Sequence, residues 1–149
     1  MGEITMKEKI KQLITSGDFQ KAKEYIENED RNTLEQVVLE LGFDEESISA
    51  YSFVCYLINN NETAYYHYLA SELLSTALCH LPDAYASALY HAKRAVELSP
   101  EDVSLKEHLL LFHDIPEKLI SKEEAKAIAQ EILKIMPNSE AAKNVLHNA

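Results

Sequence analysis

The chain has 149 residues, enough for one domain that buries roughly 68–70% of its unfolded surface, and 46% of them are hydrophobic. Its 25 acidic residues outnumber 14 basic ones for a net charge of −11, the wrong balance for gripping the phosphates of DNA or RNA. No stretch approaches the roughly 18 apolar residues of a membrane span, and three glycines (Gly2, Gly17, Gly42) are too few for the turns and bulges of a strand-rich fold.

Usage rich in Ala, Leu, Glu and Lys points to an all-α protein, and about nine helices can be followed along the chain. The first runs from about Thr5 to Ile14 and stops at Ser16-Gly17, and Asp18 caps a second over Phe19–Glu27. A third begins near Thr33 and ends at Gly42, with Leu34, Val37, Val38 and Leu41 at helical spacing. Asp44 caps a fourth that reaches about Ile58, where Asn59-Asn60-Asn61 break it. The longest helix is expected from Glu62 to about His80, with Tyr66, Leu69, Ala70, Leu73 and Ala77 as its core stripe. Pro82 suits the first turn of the next, which ends at Ser99-Pro100. Helices over about Asp102–His113 and Lys122–Met136 follow, and a short one starts after Asn138 or Ser139. Short connections predict stacked antiparallel hairpins over about 4–28, 31–59, 62–99 and 101–136, closed by a terminal helix at 138–148.

No apolar run of signal-peptide length follows Met1, and Met6 stands where a myristoylation signal after Gly2 needs Ser or Thr. Cys55 and Cys79 lie within apolar helical patterns and read as buried, reduced thiols. A cytoplasmic location is expected.

A shift of 37 residues lays Pro100 on Pro137, Ala88 on Ala125, Ala92 on Ala129, Val96 on Leu133, Leu98 on Ile135 and Leu109 on Leu146. One phase shared over so many positions indicates two copies of one helical unit, whose alanines let neighbouring helices approach closely. Ala88, Ala95 and Pro100, the matching Ala125 and Pro137, and the run from Gly17 to Ile26 with Phe19 and Ala22 resemble the second helix of tetratricopeptide (TPR) repeats. The resemblance covers about half the chain. It departs from the family in its 37-residue period, in Ile132 where a small residue is usual, in first helices without the Trp/Leu/Gly signature, and over residues 31–61. It implies a TPR-like right-handed array whose extended surface binds proteins or peptides.

Between Arg31 and Lys93 there is no lysine or arginine, while eight acids (Glu35, Glu40, Asp44, Glu45, Glu46, Glu62, Glu72, Asp83) fall there, with Tyr51, Tyr56, Tyr65, Tyr66, Tyr68, Tyr85 and Tyr90. Tyr65, Tyr68 and Glu72 share one helix face. Tyrosine offers rigid apolar area with a hydroxyl, and an acidic field attracts basic proteins. Tyr51, Tyr65, Tyr68, Glu72, Asp83, Tyr90, Glu45 and Glu46 are therefore the candidate partner-binding residues.

Catalytic signatures are missing: there is no Gly-rich phosphate loop, HExxH, CxxC or nucleophile elbow. His108 and His113, five residues apart, point about 140° apart on a helix. Glu62, Glu72, His67 and His91 could converge between helices, but without the Glu-x-x-His spacing of di-iron bundles. No catalytic residue, metal or cofactor is expected. The leading expectation is a non-enzymatic module presenting an acidic, tyrosine-rich surface to a basic protein. In its sharper form it inhibits a basic toxin such as a nuclease, because the chain is similar in size and charge to small acidic bacterial immunity proteins. The alternative is a metal-dependent helical-bundle enzyme using the His/Tyr/Glu-rich centre.

Overall fold

A computed structural model describes residues 3–148, so the Met1-Gly2 opening weighed above lies outside it. The described residues form helices and no strands: α1 Met6–Thr15, α2 Phe19–Ile26, α3 Arg31–Glu45, α4 Ile48–Asn60, α5 Ala64–Ser75, α6 Ala84–Leu98, α7 Val103–Leu109, α8 Leu111–Asp114, α9 Lys122–Ile135 and α10 Glu140–His147. Only Leu110 separates α7 from α8, so the expected nine helices are present with one of them broken. None of these helices is long and apolar enough to cross a membrane.

Side-chain caps start most of them. The Thr5 hydroxyl accepts from the Glu8 N–H at 3.1 Å and the Glu8 carboxylate accepts from the Thr5 N–H at 3.3 Å, a reciprocal capping box. Asp30, Thr63, Asp102, Ser121 and Ser139 each accept from a backbone N–H in the first turn of the helix that follows.

Several expected boundaries are corrected. Gly42 does not stop α3. It sits within the helix because α5 crosses there, and a Cβ at Gly42 would lie 2.6 Å from Leu73 Cδ1 and 2.8 Å from Ala77 Cβ. Glu46, left-handed at φ 52°, ends the helix instead. Asp44 consequently belongs to α3, and Ser47 precedes α4. Asp18 holds its N-cap place without a side-chain bond. The long central helix stops at Ser75 rather than His80, and turns fill residues 76–80. Pro82 stays outside the next helix, which Asp83 enters at φ 62°.

Packing follows chain order. Most helices lie against the next one in the chain, most extensively α5 with α6, while α1 also touches α3 and α4, α3 touches α5, and α7 touches α9. Contacts of Glu62 with Arg94 and of His67 with His91 run in opposite directions along the chain, so α5 and α6 are antiparallel. One apolar cluster runs from Ile10 to Ala142, with Phe53 and Phe112 its largest fully buried side chains. Leu69, Ala70, Leu73 and Ala77 join it as expected, whereas Tyr66 is only half-buried. The 37-residue phase appears in space. Ala88, Ala92, Ala125 and Ala129 are no more than 1% exposed, and the paired residues Asp102 and Ser139 both cap the helix after them. Cys55 and Cys79 are free and half-buried.

Candidate functional site

The eight candidate residues separate into three places. Helix α5 explains the first separation, because Tyr65, Tyr68 and Glu72 face α3 and α7 while His67 faces α6.

On the α3–α7 side the Tyr65 hydroxyl donates to Glu35 Oε2 at 3.3 Å, and the Arg31 guanidinium lies 4.0 Å over the Tyr65 ring. Tyr68 meets His108 edge-on at 5.1 Å, and the Ser71 hydroxyl is hydrogen-bonded to His108 Nε2 at 2.8 Å. Burial lowers the His108 pKa and so favours the uncharged ring. Glu72 is half-buried, and its Oε2 is closed off from solvent without a hydrogen-bond partner. Its carboxyl pKa is raised, first by burial and then by the Glu35 charge, while the Tyr68 hydroxyl pulls it down. The Tyr65 and Tyr68 phenols are raised too, chiefly by burial. Beside Tyr65 and Tyr68 lies a cleft of about 720 Å³ lined by Arg31, Tyr65, Tyr68, Asp102, Glu107 and His108, among others, but not by Glu72. Negative charge in a concave, partly desolvated setting attracts a cation more strongly than it would in open water.

On the α6 side Glu62, His67 and His91 converge, and Glu72 does not join them. Arg94 clamps Glu62 through Nε at 2.8 Å and Nη2 at 2.9 Å. That clamp, and then the His67 hydrogen bond, hold the Glu62 carboxyl down at about 2. Glu62 Oε2 is 2.7 Å from His67 Nε2, His67 Nδ1 is 2.9 Å from His91 Nδ1, and His91 Nε2 is 2.7 Å from the Tyr51 hydroxyl. His67 and His91 are only 2% and 5% exposed. Burial, then the neighbouring His67, push His91 down to about 4. Burial and Cys55 raise the Tyr51 phenol. A second cavity, of about 330 Å³, is lined by Tyr51, Cys55, Asn59, Ser87, Tyr90 and His91 among others. Among the described residues no group of three or more His, Cys, Asp or Glu is placed to hold a metal ion.

The third place is the corner after α3. Asp44, Glu45 and Glu46 are exposed between the exposed Phe43 and Ile48, and Glu46 Oε1 lies 3.7 Å from His80 Nε2. Asp83 is exposed at the entry to α6. Two acids of the base-free segment are not free to meet a partner. Glu40 pairs with Lys7 and Lys11 and Glu62 with Arg94, because α1 and α6 bring those cations across. Of the candidate tyrosines, Tyr90 is exposed at 62%, while Tyr51, Tyr65 and Tyr68 are half-buried. Arg31, Glu35 and His108 belong to these sites and escape sequence reasoning, since each lies on a different helix from the α5 tyrosine it meets, while Cys55 sits one turn from Tyr51 on α4. Comparison of the chain with family models, with curated proteins and with solved structures finds no match.

Proposed function

We propose that the protein acts by binding another protein, taking a basic segment of its partner into the cleft lined by Tyr65 and Tyr68, on the α5 face that also carries Glu72. The observation that carries this reading is the cleft's own lining, in which Tyr65 and Tyr68 stand with Asp102 and Glu107. Glu72, on the same face of α5 with Glu35 close by, adds to the negative field around it. Arg31 stacked on Tyr65 displays the same chemistry within one chain. A TPR-like array in the cytoplasm that inhibits a basic toxin, such as a nuclease, fits this chemistry, since an acidic surface can cover a positive active site. The half-buried tyrosines act there as rigid anchors, while Asp44, Glu45, Glu46 and Asp83 supply long-range attraction.

The test is capture of a basic partner followed by association kinetics at low and physiological salt. Association should slow strongly as salt rises. Reversing Glu45, Glu46 and Glu72 to Lys should slow it further without unfolding the protein. Tyr68→Ala should instead speed dissociation, by roughly 2 kcal/mol if the ring is an anchor. An acidic partner, or rates indifferent to salt and to charge reversal, would overturn the reading.

A further inference from the structure

The hydrogen bonds from Arg94 to Tyr51 have a direction. Glu62 is ionised, so His67 Nε2 must carry a hydrogen and donate to it at 2.7 Å. With a neutral His67, Nδ1 can only accept, which makes His91 Nδ1 the donor across 2.9 Å. His91 Nε2 then accepts from the Tyr51 hydroxyl at 2.7 Å. The Tyr51 proton points toward His91, and its oxygen, with the Cys55 thiol beside it, keeps a lone pair for the cavity that Tyr51 lines. Adding one proton to His67 reverses the series. His67 Nδ1–H donates to His91 Nδ1, His91 Nε2–H donates to Tyr51, and the Tyr51 O–H is released toward the cavity. One proton thus converts Tyr51 from an acceptor to a donor for whatever the cavity holds.

We propose that this cavity, between α4, α5 and α6, binds a small weak acid whose acidic group is a hydroxyl, such as a phenol or carboxylic acid, together with one proton. A neutral acid donates to the Tyr51 oxygen. If its proton moves on, the ligand O–H bond breaks and Tyr51 gains that proton. Tyr51 passes its own to His91 Nε2, and the hydrogen on His91 Nδ1 goes to His67 Nδ1. The ligand is left as an anion facing the Tyr51 O–H, and the imidazolium of His67 sits against Glu62. Either position of the proton leaves every group in the series paired.

Charge excludes the bare anion. The titratable groups around the cavity are Tyr51 and Cys55 on α4, Glu62 and His67 at and before the start of α5, and Tyr90, His91 and Arg94 on α6. Arg94 is the cation among them, and Glu62 and Glu97 already hold it. Within a chain of net charge −11, an anion entering alone meets no compensating charge. Ile58 and the rings of Tyr51 and Tyr90 supply apolar wall, and about 330 Å³ suits a single-ring ligand. The cavity opens beside the exposed Tyr90, away from the protein-binding cleft, so this site stands independently of that one.

The probe is 4-nitrophenol, titrated calorimetrically into the whole protein in two buffers of different ionisation enthalpy. Above the pH at which free nitrophenol ionises, binding should take up one proton per ligand, and affinity should fall about tenfold per pH unit. Tyr51→Phe should weaken binding about tenfold or more, and Tyr68→Phe, in the other cleft, should leave it unchanged. Ser87→Leu fills the cavity from its exposed rim without touching the hydrogen-bonded series, and should abolish binding even if the Tyr51 variant folds poorly. No binding at millimolar nitrophenol, binding without proton uptake, or wild-type affinity in Ser87→Leu would overturn the proposal.

Discussion

Gly42 shows how one side chain's absence sets the geometry of two helices. A methyl group there would sit 2.6 Å from Leu73 Cδ1 and 2.8 Å from Ala77 Cβ, inside any tolerable contact, in a core where both neighbours are buried. Alanine is worth roughly 1 kcal/mol over glycine in a helix, and overpacking costs roughly 1–3 kcal/mol. Gly42→Ala should therefore lower stability by up to about 2 kcal/mol in a denaturant titration, and a gain would mean that α3 and α5 separate freely. From sequence the same glycine reads as a helix stop, because close approach by a helix 30 residues further on leaves no local trace. The candidate residues divide similarly. Tyr65, Tyr68 and Glu72 are legible as one face from their three- and four-residue spacing, but Arg31, Glu35 and His108, which give that face its chemistry, arrive through tertiary packing. Tyr51 has a contact that its sequence neighbourhood does not reveal for the same reason: its hydroxyl meets a buried histidine 40 residues away.

At the level of helices, what can be read locally is read well. Asp102 and Ser139 mark their helices in sequence and in structure, since a cap is made within three residues. Ends determined by distant contacts are harder. Nothing in the residues from Thr76 to His80 breaks a helix by propensity, yet α5 gives way to turns there as the chain reverses toward α6. The 37-residue unit survives intact: α6 and α7 recur as α9 and α10, each long helix carrying two fully buried alanines at four-residue spacing. Those alanines set how closely the neighbouring helix lies. Ala92, 1% exposed, should tolerate no larger side chain, so Ala92→Leu should cost roughly 1–3 kcal/mol in denaturant unfolding. Unchanged stability would show that α6 is not held at close range.

For the whole molecule, negative charge is distributed rather than concentrated. The acidic corner after α3, the cleft beside α5 and the clamped Glu62 lie in different places, so a basic partner would be drawn toward the molecule broadly and held at one cleft. The near-neighbour packing order has a further consequence, in time rather than in space. Where packing partners lie no more than three helices apart in the chain, no segment must wait for a distant one, and opening can begin at either end without dissolving the middle. Backbone amides should then exchange with solvent in a graded sequence. Those of α10, which rests mainly on α9, should be replaced first, and those of α5 and α6, which share the most extensive contact, last. Hydrogen–deuterium exchange followed by mass spectrometry would resolve this gradient, and a single uniform rate across all the helices would show that the molecule opens only as one unit.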